Sequence, residues 1–542
     1  MARKSGARPF LTIDCETDPF KEGRIPRPFL WGCYDGETGE YHEFEEASAL
    51  VAYLVRFRCL VYAHNGGRFD FHYLRDWFSS DSPIMVINGR IARFKIGEAE
   101  FRDSINILVN PLRAFAKEEI DYAKLEPDVR HLHMDEIRSY LRSDCVNLWN
   151  TIKRYFDTYG RSLTQAGAAM RYWKNKYEVP FIPQTMVQAE QCRDFYYGGR
   201  VECFKVGHEL HPFKVVDRNS AYPHAMTFRH PISPHSIALP HLPNSNLSQC
   251  FVRLEARSRG AFPWRDPVDP VRALTFPNDD VLREYCVTGW ELEAALELDL
   301  VKIHRIIDVR KFIQHVDFTD YVMNFYSERM RAKEAGDKML DVFCKLFLNS
   351  LYGKFAADPE KYREYIIATD DSFRRHAERG FLEIAPWGDR SLMERPLPES
   401  QHRYYNVATA ASITGKVRAD LLRAIASVEC PLYCDTDSVF ARDVSRLDLG
   451  DKLGQWKVEA DCTEWAIAGK KTYAVRLTDG TWKVRSKGAQ LTADEVIRVA
   501  HGEAVKFRPE VPTYSVHREV PTFVERIIRS TGKLEKSLHS VN

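Results

Sequence analysis

Two aspartates, Asp435 and Asp437, stand one residue apart in Leu432-Tyr433-Cys434-Asp435-Thr436-Asp437-Ser438-Val439-Phe440, at the tip of what reads as an apolar strand, turn and strand. Like charges this close on apolar flanks repel and are costly to desolvate, and one or two Mg²⁺ ions would relieve both penalties. An Asx-type hairpin turn is the alternative reading of the same residues. A third carboxylate is offered by Phe213-Lys214-Val215-Val216-Asp217, an apolar strand that runs into a polar turn through Asn219, Ser220, Tyr222 and Pro223. Hard oxygen ligands from two separate strands are what two-metal phosphoryl transfer requires.

A second group lies on a long helical pattern that starts near Asp320: Lys345, Asn349 and Tyr352 fall at i, i+4 and i+7 and share one face. Charge for phosphate, an amide edge for sugar or base and a ring for stacking suit a nucleoside triphosphate. The alternative is a solvated Lys beside a half-buried Tyr. The amino-terminal third holds a third group: Asp14 and Glu16 in an alternating strand, Asp70 after Asn65-Gly66-Gly67-Arg68-Phe69, and Asp144 one helical turn from Tyr140. Together Asp14, Glu16, Asp70 and Asp144 would cage two metals, with Tyr140 orienting an attacking water.

The elements that must position these residues are spread over 542 residues, enough for several domains and a sizeable core. Asp479-Gly480 marks a hairpin turn just after Lys471-Thr472-Tyr473. Phe195-Tyr196-Tyr197-Gly198-Gly199-Arg200 sits between the first carboxylate set and Asp217; paired glycines permit close backbone approach to phosphate or serve as a hinge. The interval after Gly353, with Pro386-Trp387-Gly388-Asp389-Arg390 and Pro396-Leu397-Pro398, is expected to form an exposed loop or excursion. Net charge is +1, so nucleic acid must be held by local arrangements such as Lys416, Arg418, Arg476, Lys483, Arg485 and Lys487, for which a solvated face is the alternative. The 12 cysteines show no zinc spacing and are expected to be reduced, packed thiols. No stretch is apolar for long enough to span a bilayer and no signal-peptide core follows Met1, so work in a cytoplasm is expected.

Asp217-x-x-Ser220-x-Tyr222-Pro223, Lys345-x-x-x-Asn349-Ser350-x-Tyr352-Gly353 and Tyr433-x-Asp435-Thr436-Asp437-Ser438 resemble, in the same order, the three polymerase motifs of family B DNA polymerases. Lys471-x-Tyr473 resembles the family's primer-holding element. Asp14-x-Glu16, Asn65 to Asp70, and Tyr140 with Asp144 resemble its three proofreading motifs; the spacer before Asp70 matches the cellular form better than the shorter one of some protein-primed enzymes. Lys117 is placed like a lysine that supports the exonuclease in the protein-primed branch, a surface lysine being the alternative. The likeness is closest to tectivirus-type phage polymerases and runs from about residue 10 to about residue 510.

The resemblance implies a multidomain α/β (α+β) fold: a ribonuclease-H-like 3′–5′ exonuclease over 1–190; a linker and first palm segment over 191–230; an insertion and palm region over 231–319; fingers over 320–358; a second insertion over 359–403; palm over 404–490; and thumb and tail over 491–542. It implies a DNA-directed DNA polymerase with proofreading that replicates a linear phage genome by protein-primed initiation. A conventionally primed polymerase of the same fold is the alternative, and an inactive DNA-binding scaffold a more distant one. It further implies two Mg²⁺ per site, with Mn²⁺ able to substitute, held by Asp217 and Asp437 and by the four amino-terminal carboxylates. Asp435 lends support; Ser220, Tyr222, Lys333, Lys345, Asn349 and Tyr352 meet the deoxynucleoside triphosphate. Tyr196, Gly198, Gly199, Asn65, Phe69, Thr414, Arg418, Lys471, Tyr473 and Lys487 meet DNA. The implied partners are template-primer, nucleotides and a terminal protein that acts as primer, with the chain a monomer.

Overall fold

A computed structural model describes residues 8–110, 118–177, 181–357, 362–396, 404–518 and 520–531. Two large sheets dominate it. The amino-terminal sheet has ten strands, and its centre is parallel: Phe10–Thr17 pairs with Leu60–Ala63, which pairs with Ala99–Asp103. The helix Met134–Tyr159 covers it because Ile137, Leu141, Cys145, Leu148 and Ile152 recur at three- and four-residue steps and form a buried stripe. Thr12 Oγ1 donates to the Cys145 carbonyl (2.8 Å) and Trp149 Nε1 to that of Phe10 (3.2 Å), which fixes the helix in register with the strand carrying Asp14 and Glu16.

The central sheet is antiparallel, in the order Trp482–Ser486, Thr472–Leu477, Trp456–Gly469, Phe213–Arg218, Ser438–Asp443, Glu429–Asp435 and Val201–Cys203. The helix Val407–Ser427 lies behind it, buried along nearly its whole length by Ala410, Ile413, Val417, Leu421 and Ile425. A four-stranded sheet built from Ser236–Ala238, Val301–Phe312, Cys250–Arg259 and Asn278–Thr288 shares one apolar core with this helix and the central sheet, through Val252, Leu254 and Leu292 against Val216, Leu421 and Val439.

Thr319–Glu334 and Lys338–Phe355 form a helical hairpin that turns at Gly336 (φ 70°) and restarts where the Asp337 carboxylate caps the Leu340 N–H (3.0 Å). Its inner face, Phe325, Phe343 and Phe347, packs on Tyr155 and Tyr159 of the amino-terminal helix, so the two regions share a core.

The interval after Gly353 departs from the expected excursion. Tyr362–Ala368 pairs antiparallel with Ile84–Ile87, and Arg390–Pro396 and Leu382–Trp387 follow, so the interval adds three strands to the amino-terminal sheet. Trp387, read as part of a loop, is 6% exposed in that sheet's core. The Pro-rich composition misled because Pro386 sits near the end of the outermost strand, Leu382–Trp387, and Pro396 is the last residue of its neighbour, Arg390–Pro396, positions where proline is tolerated. Leu397 and Pro398 lie outside the described residues, as does Lys117. At the carboxyl end, helix Ala493–Ala500 packs Val496 and Val499 on Ala466, Ala468 and Ala474. All 12 cysteines are free and all but Cys430 are buried or half-buried. No helix among the described residues is long and apolar enough to cross a membrane.

Candidate active sites

Asp435 pairs with Ser438 across a two-residue turn whose first member, Thr436, has φ 63°. Asp217 lies beside this turn because Phe213–Arg218 pairs with Ser438–Asp443, placing Asp217 opposite Ser438, and because the Arg218 N–H donates to the Asp437 carbonyl (2.8 Å). Burial and then the charge of Asp437 push the Asp217 carboxyl up to about 7; burial and then Asp435 push Asp437 up to about 6. Lys345 opposes both shifts, which puts its ammonium within electrostatic reach of the pair. Asp435 itself is engaged elsewhere: its Oδ1 lies 3.2 Å from Lys471 Nζ. Two repelling, partly desolvated carboxylates under one lysine fit a divalent cation better than they fit each other.

Tyr222 and Tyr352 stack in parallel beside this pair, with ring centroids 4.3 Å apart and an interplanar angle of 2°. They come from different elements: Tyr222 from the short helix Ala221–Met226, which begins after left-handed Ser220 (φ 52°), and Tyr352 from the helical hairpin. Lys345 and Asn349 are exposed on the same face as Tyr352, and Asn349 Nδ2 donates to the Lys345 carbonyl (2.8 Å). Lys333 is exposed in the last turn of the preceding helix. Lys471 adopts φ 59°, and its N–H donates to Tyr433 Oη (3.0 Å) while its carbonyl accepts from the Lys487 N–H (2.9 Å). Both lysines are thereby presented on one hairpin, with Tyr473 packed on Tyr433 and Phe440 beneath them.

The paired glycines abut the turn that carries Asp435 and Asp437. A Cβ on Gly199 would fall 2.6 Å from Thr436 Oγ1, and the Thr436 N–H donates to the Arg200 carbonyl (2.7 Å). Glycine is required here by the approach of the turn. Tyr196 is half-buried and Gly198 exposed on the same loop.

Arg418 and Thr414 differ from their expected place on DNA. Each is 2% exposed, on the inner side of the buried helix. Arg418 Nε pairs with Glu291 Oε1 (2.8 Å), and Nη1 donates to the carbonyls of Gly198 (2.9 Å) and Tyr197 (2.5 Å). Arg418 therefore holds the glycine loop from beneath. Lys416 is likewise 6% exposed and ion-paired with Asp420. Glu291 was not singled out in the sequence, although Thr288-x-x-Glu291 has capping-box spacing; its Oε2 accepts from Thr288 N (3.0 Å) and Oγ1 (2.7 Å), leaving Oε1 for the arginine. Arg418→Ala is expected to cost about 3–5 kcal/mol because it strands a buried carboxylate. Denaturant unfolding checks this, and Glu291→Gln in the same background should recover part of the loss.

The amino-terminal carboxylates form a second site. Cys15 Sγ donates to Asp70 Oδ1 (3.2 Å), and burial and then Asp70, Asp14 and Glu16 hold the thiol protonated. Burial and then the charges of Asp144, Tyr122, Glu16 and Asp14 raise the Tyr140 phenol far above its usual range, so it stays a neutral donor beside them. Asn65 (φ 64°) starts the turn that carries Phe69 and Asp70, and buried Asp103 holds this turn by accepting from the Gly67 N–H (3.2 Å). Among the described residues, no three His, Cys, Asp or Glu side chains close on one point as a preformed metal centre. Asp14, Glu16 and Asp70 all act on the Cys15 thiol, and Asp14, Glu16 and Asp144 on the Tyr140 phenol, so the carboxylates share one electrostatic neighbourhood.

A family model described as DNA polymerase type B, organellar and viral, matches residues 115–385. The DNA-directed DNA polymerase of Enterobacteria phage PRD1 is 35% identical, covering 98% of this chain and 99% of its own length. Among solved structures, Phi29 DNA polymerase superposes with a TM-score of 0.75 at 18% identity, covering 97% of this chain and 100% of that one. The same enzyme complexed with primer-template DNA and incoming nucleotide superposes with a TM-score of 0.72.

Proposed function

Since this chain belongs to family B and is a DNA-directed DNA polymerase of the phage PRD1 type, we propose that it copies a linear phage genome from a protein primer and proofreads at a separate amino-terminal site. The observation that carries the polymerase site is the apposition of Asp217 and Asp437 under Lys345, beside the stacked pair Tyr222 and Tyr352.

Asp217 and Asp437 in one site, and Asp14, Glu16, Asp70 and Asp144 in the other, would hold Mg²⁺, or Mn²⁺ in its place, which would supply activation of the attacking oxygen and neutralisation of charge on the transferring phosphate. Lys345, assisted by Lys333, meets the triphosphate of the incoming nucleotide. Asn349 and Tyr352 shape the pocket for the new base pair, and the Ser220 turn brings the triphosphate beside Asp217. The Tyr222 ring, fixed by its stack on Tyr352, lies under the sugar and excludes a 2′-hydroxyl by contact. Lys471, Tyr473 and Lys487 hold the primer strand, and Asp435 positions Lys471 through their ion pair. Tyr196, Gly198 and Gly199 track the template backbone, with Arg418 fixing the loop from behind.

In the second site Asn65 and Phe69 receive a frayed 3′ end, and Tyr140 donates to the water that attacks the terminal phosphodiester. Lys117 supports this step. The chain acts as a monomer in the host cytoplasm, and the four-stranded sheet within 231–319 and the added strands within 359–403 receive the terminal protein.

The test mixes the purified chain with Mg²⁺, one radiolabelled deoxynucleotide at a time, and the product of the neighbouring gene as primer protein. Label that survives denaturing electrophoresis on that partner, and depends on Asp437, is the expected result. Efficient extension of an annealed oligonucleotide with no labelled protein would replace protein priming by conventional priming.

A further inference from the structure

Residues 511–518 leave the carboxyl-terminal region and cross onto the amino-terminal sheet. Thr513 and Thr522 exchange backbone hydrogen bonds (2.8 and 3.1 Å), which closes this segment into a loop. Val516 is buried as a member of the amino-terminal sheet's apolar core, and His517 Nε2 lies 3.3 Å from Tyr365 Oη on the added strand. Between the two anchors, the Tyr514 ring stands edge-on to Phe69 (5.5 Å, 90°) and close to Tyr73 (5.8 Å) and His72 (5.3 Å). Tyr514 Oη is 2.7 Å from Tyr73 Oη, which is 2.7 Å from the Pro26 carbonyl. A carbonyl only accepts, so the single proton of Tyr73 goes to Pro26 and Tyr514 donates to Tyr73.

Phe69 also meets Phe20 edge-on at 5.3 Å, and both rings keep exposed surface: Phe20 is 39% exposed and Phe69 is half-buried. Phe20 follows the strand of Asp14 and Glu16, and Phe69 directly precedes Asp70. The aromatic shelf therefore adjoins the chain segments that carry Asp14, Glu16 and Asp70, and its back support comes from the far end of the chain.

We propose that Tyr514 is a positioning residue for degradation of 3′ ends: it braces Phe69 and Phe20 as a shelf on which the last bases of single-stranded DNA stack while the terminal phosphodiester lies among Asp14, Glu16, Asp70 and Asp144. The inference rests on the exonuclease reading above. Stacking on a ring suits an end of any sequence because every base presents a π-face. A ring already held by its neighbours loses little freedom when the base arrives, which strengthens binding without a new contact. Tyr514 touches the strand only through Phe69, so its loss should weaken binding of the end and leave the chemical step intact.

The test measures Mg²⁺-dependent degradation of a labelled single-stranded oligonucleotide by the full chain. Tyr514→Ala should raise KM for the single-stranded end by about five- to tenfold, as for a weakened base–aromatic stack, with kcat within about twofold of the parent. Tyr514→Phe, which keeps the ring, should recover most of that loss. Phe69→Ala should raise KM at least as much, with no further rise in the double variant. Extension of a matched annealed primer by Tyr514→Ala should be unchanged. A parental KM in Tyr514→Ala, or equal losses of kcat and primer extension, would overturn the inference. Degradation that survives Asp14→Ala with Glu16→Ala would overturn the exonuclease reading itself, and this inference with it.

Discussion

Asp437→Ala abolishes nucleotide addition, by about 10³-fold or more, while 3′-end degradation continues at the parental rate. The size follows from removing one of the two carboxylates that, in the proposed mechanism, would hold charge-neutralising cations at the transferring phosphate, worth several kcal/mol in the transition state. The separation follows from the fold: Asp437 sits on the central antiparallel sheet and the other carboxylates on the amino-terminal sheet. Stability should not fall with activity. The backbone bonds of the turn, from Arg218 N–H to the Asp437 carbonyl and from Asp437 N–H to the Asp435 carbonyl, are kept by alanine. The substitution also removes a carboxylate that burial and Asp435 already disfavour, and relieves Asp217 of its main repelling neighbour. Single-nucleotide extension, oligonucleotide degradation and thermal unfolding on one preparation check all three. Comparable extension by the variant would remove Asp437 from the site.

The second large effect is the mirror of the first. Asp14→Ala combined with Glu16→Ala eliminates 3′→5′ degradation, again by about 10³-fold or more, and leaves extension of a matched primer untouched. Both side chains project from Phe10–Thr17, whose register is held independently of them by pairing on both sides and by Thr12 and Trp149 against the covering helix. Misincorporation during extension should rise, because a frayed end then has no second site to enter. Parallel assays of degradation, extension and error frequency decide the matter; loss of extension along with degradation would point to a shared site or a damaged fold.

What was legible in the chain has a physical pattern. Asp435 and Asp437, the helical face of Lys345, Asn349 and Tyr352, and the pairing of Tyr140 with Asp144 could be read because their geometry is set by strand or helix period within a few residues. The multidomain α/β architecture came from the family resemblance that such groups carry in order. Contacts across the fold carried no local signature. The inward turn of Arg418 depends on a carboxylate 127 positions away, and a buried arginine on a small-residue helix looks in sequence like one offered to phosphate. The strands after Gly353 were misjudged because edge strands tolerate proline and charge, the same residues that mark loops. Tyr514 lies in a stretch with no periodicity, and its place is set by a partner 441 residues earlier.

The added strands bear on how such a protein can be divided. Ile84–Ile87 is buried on both faces and takes its outer backbone partner from Tyr362–Ala368, which arrives only after the helical hairpin has been made. A fragment ending near residue 190 would present that apolar edge to solvent, an open template for pairing with other chains. The amino-terminal sheet is thus not a portable module, and recombination between relatives would have to exchange the insertion along with it. During synthesis the first sheet also waits, incomplete at one margin, from Asp103, where its last early strand ends, until Tyr362 emerges, so the last strands to join it set when that margin is sealed.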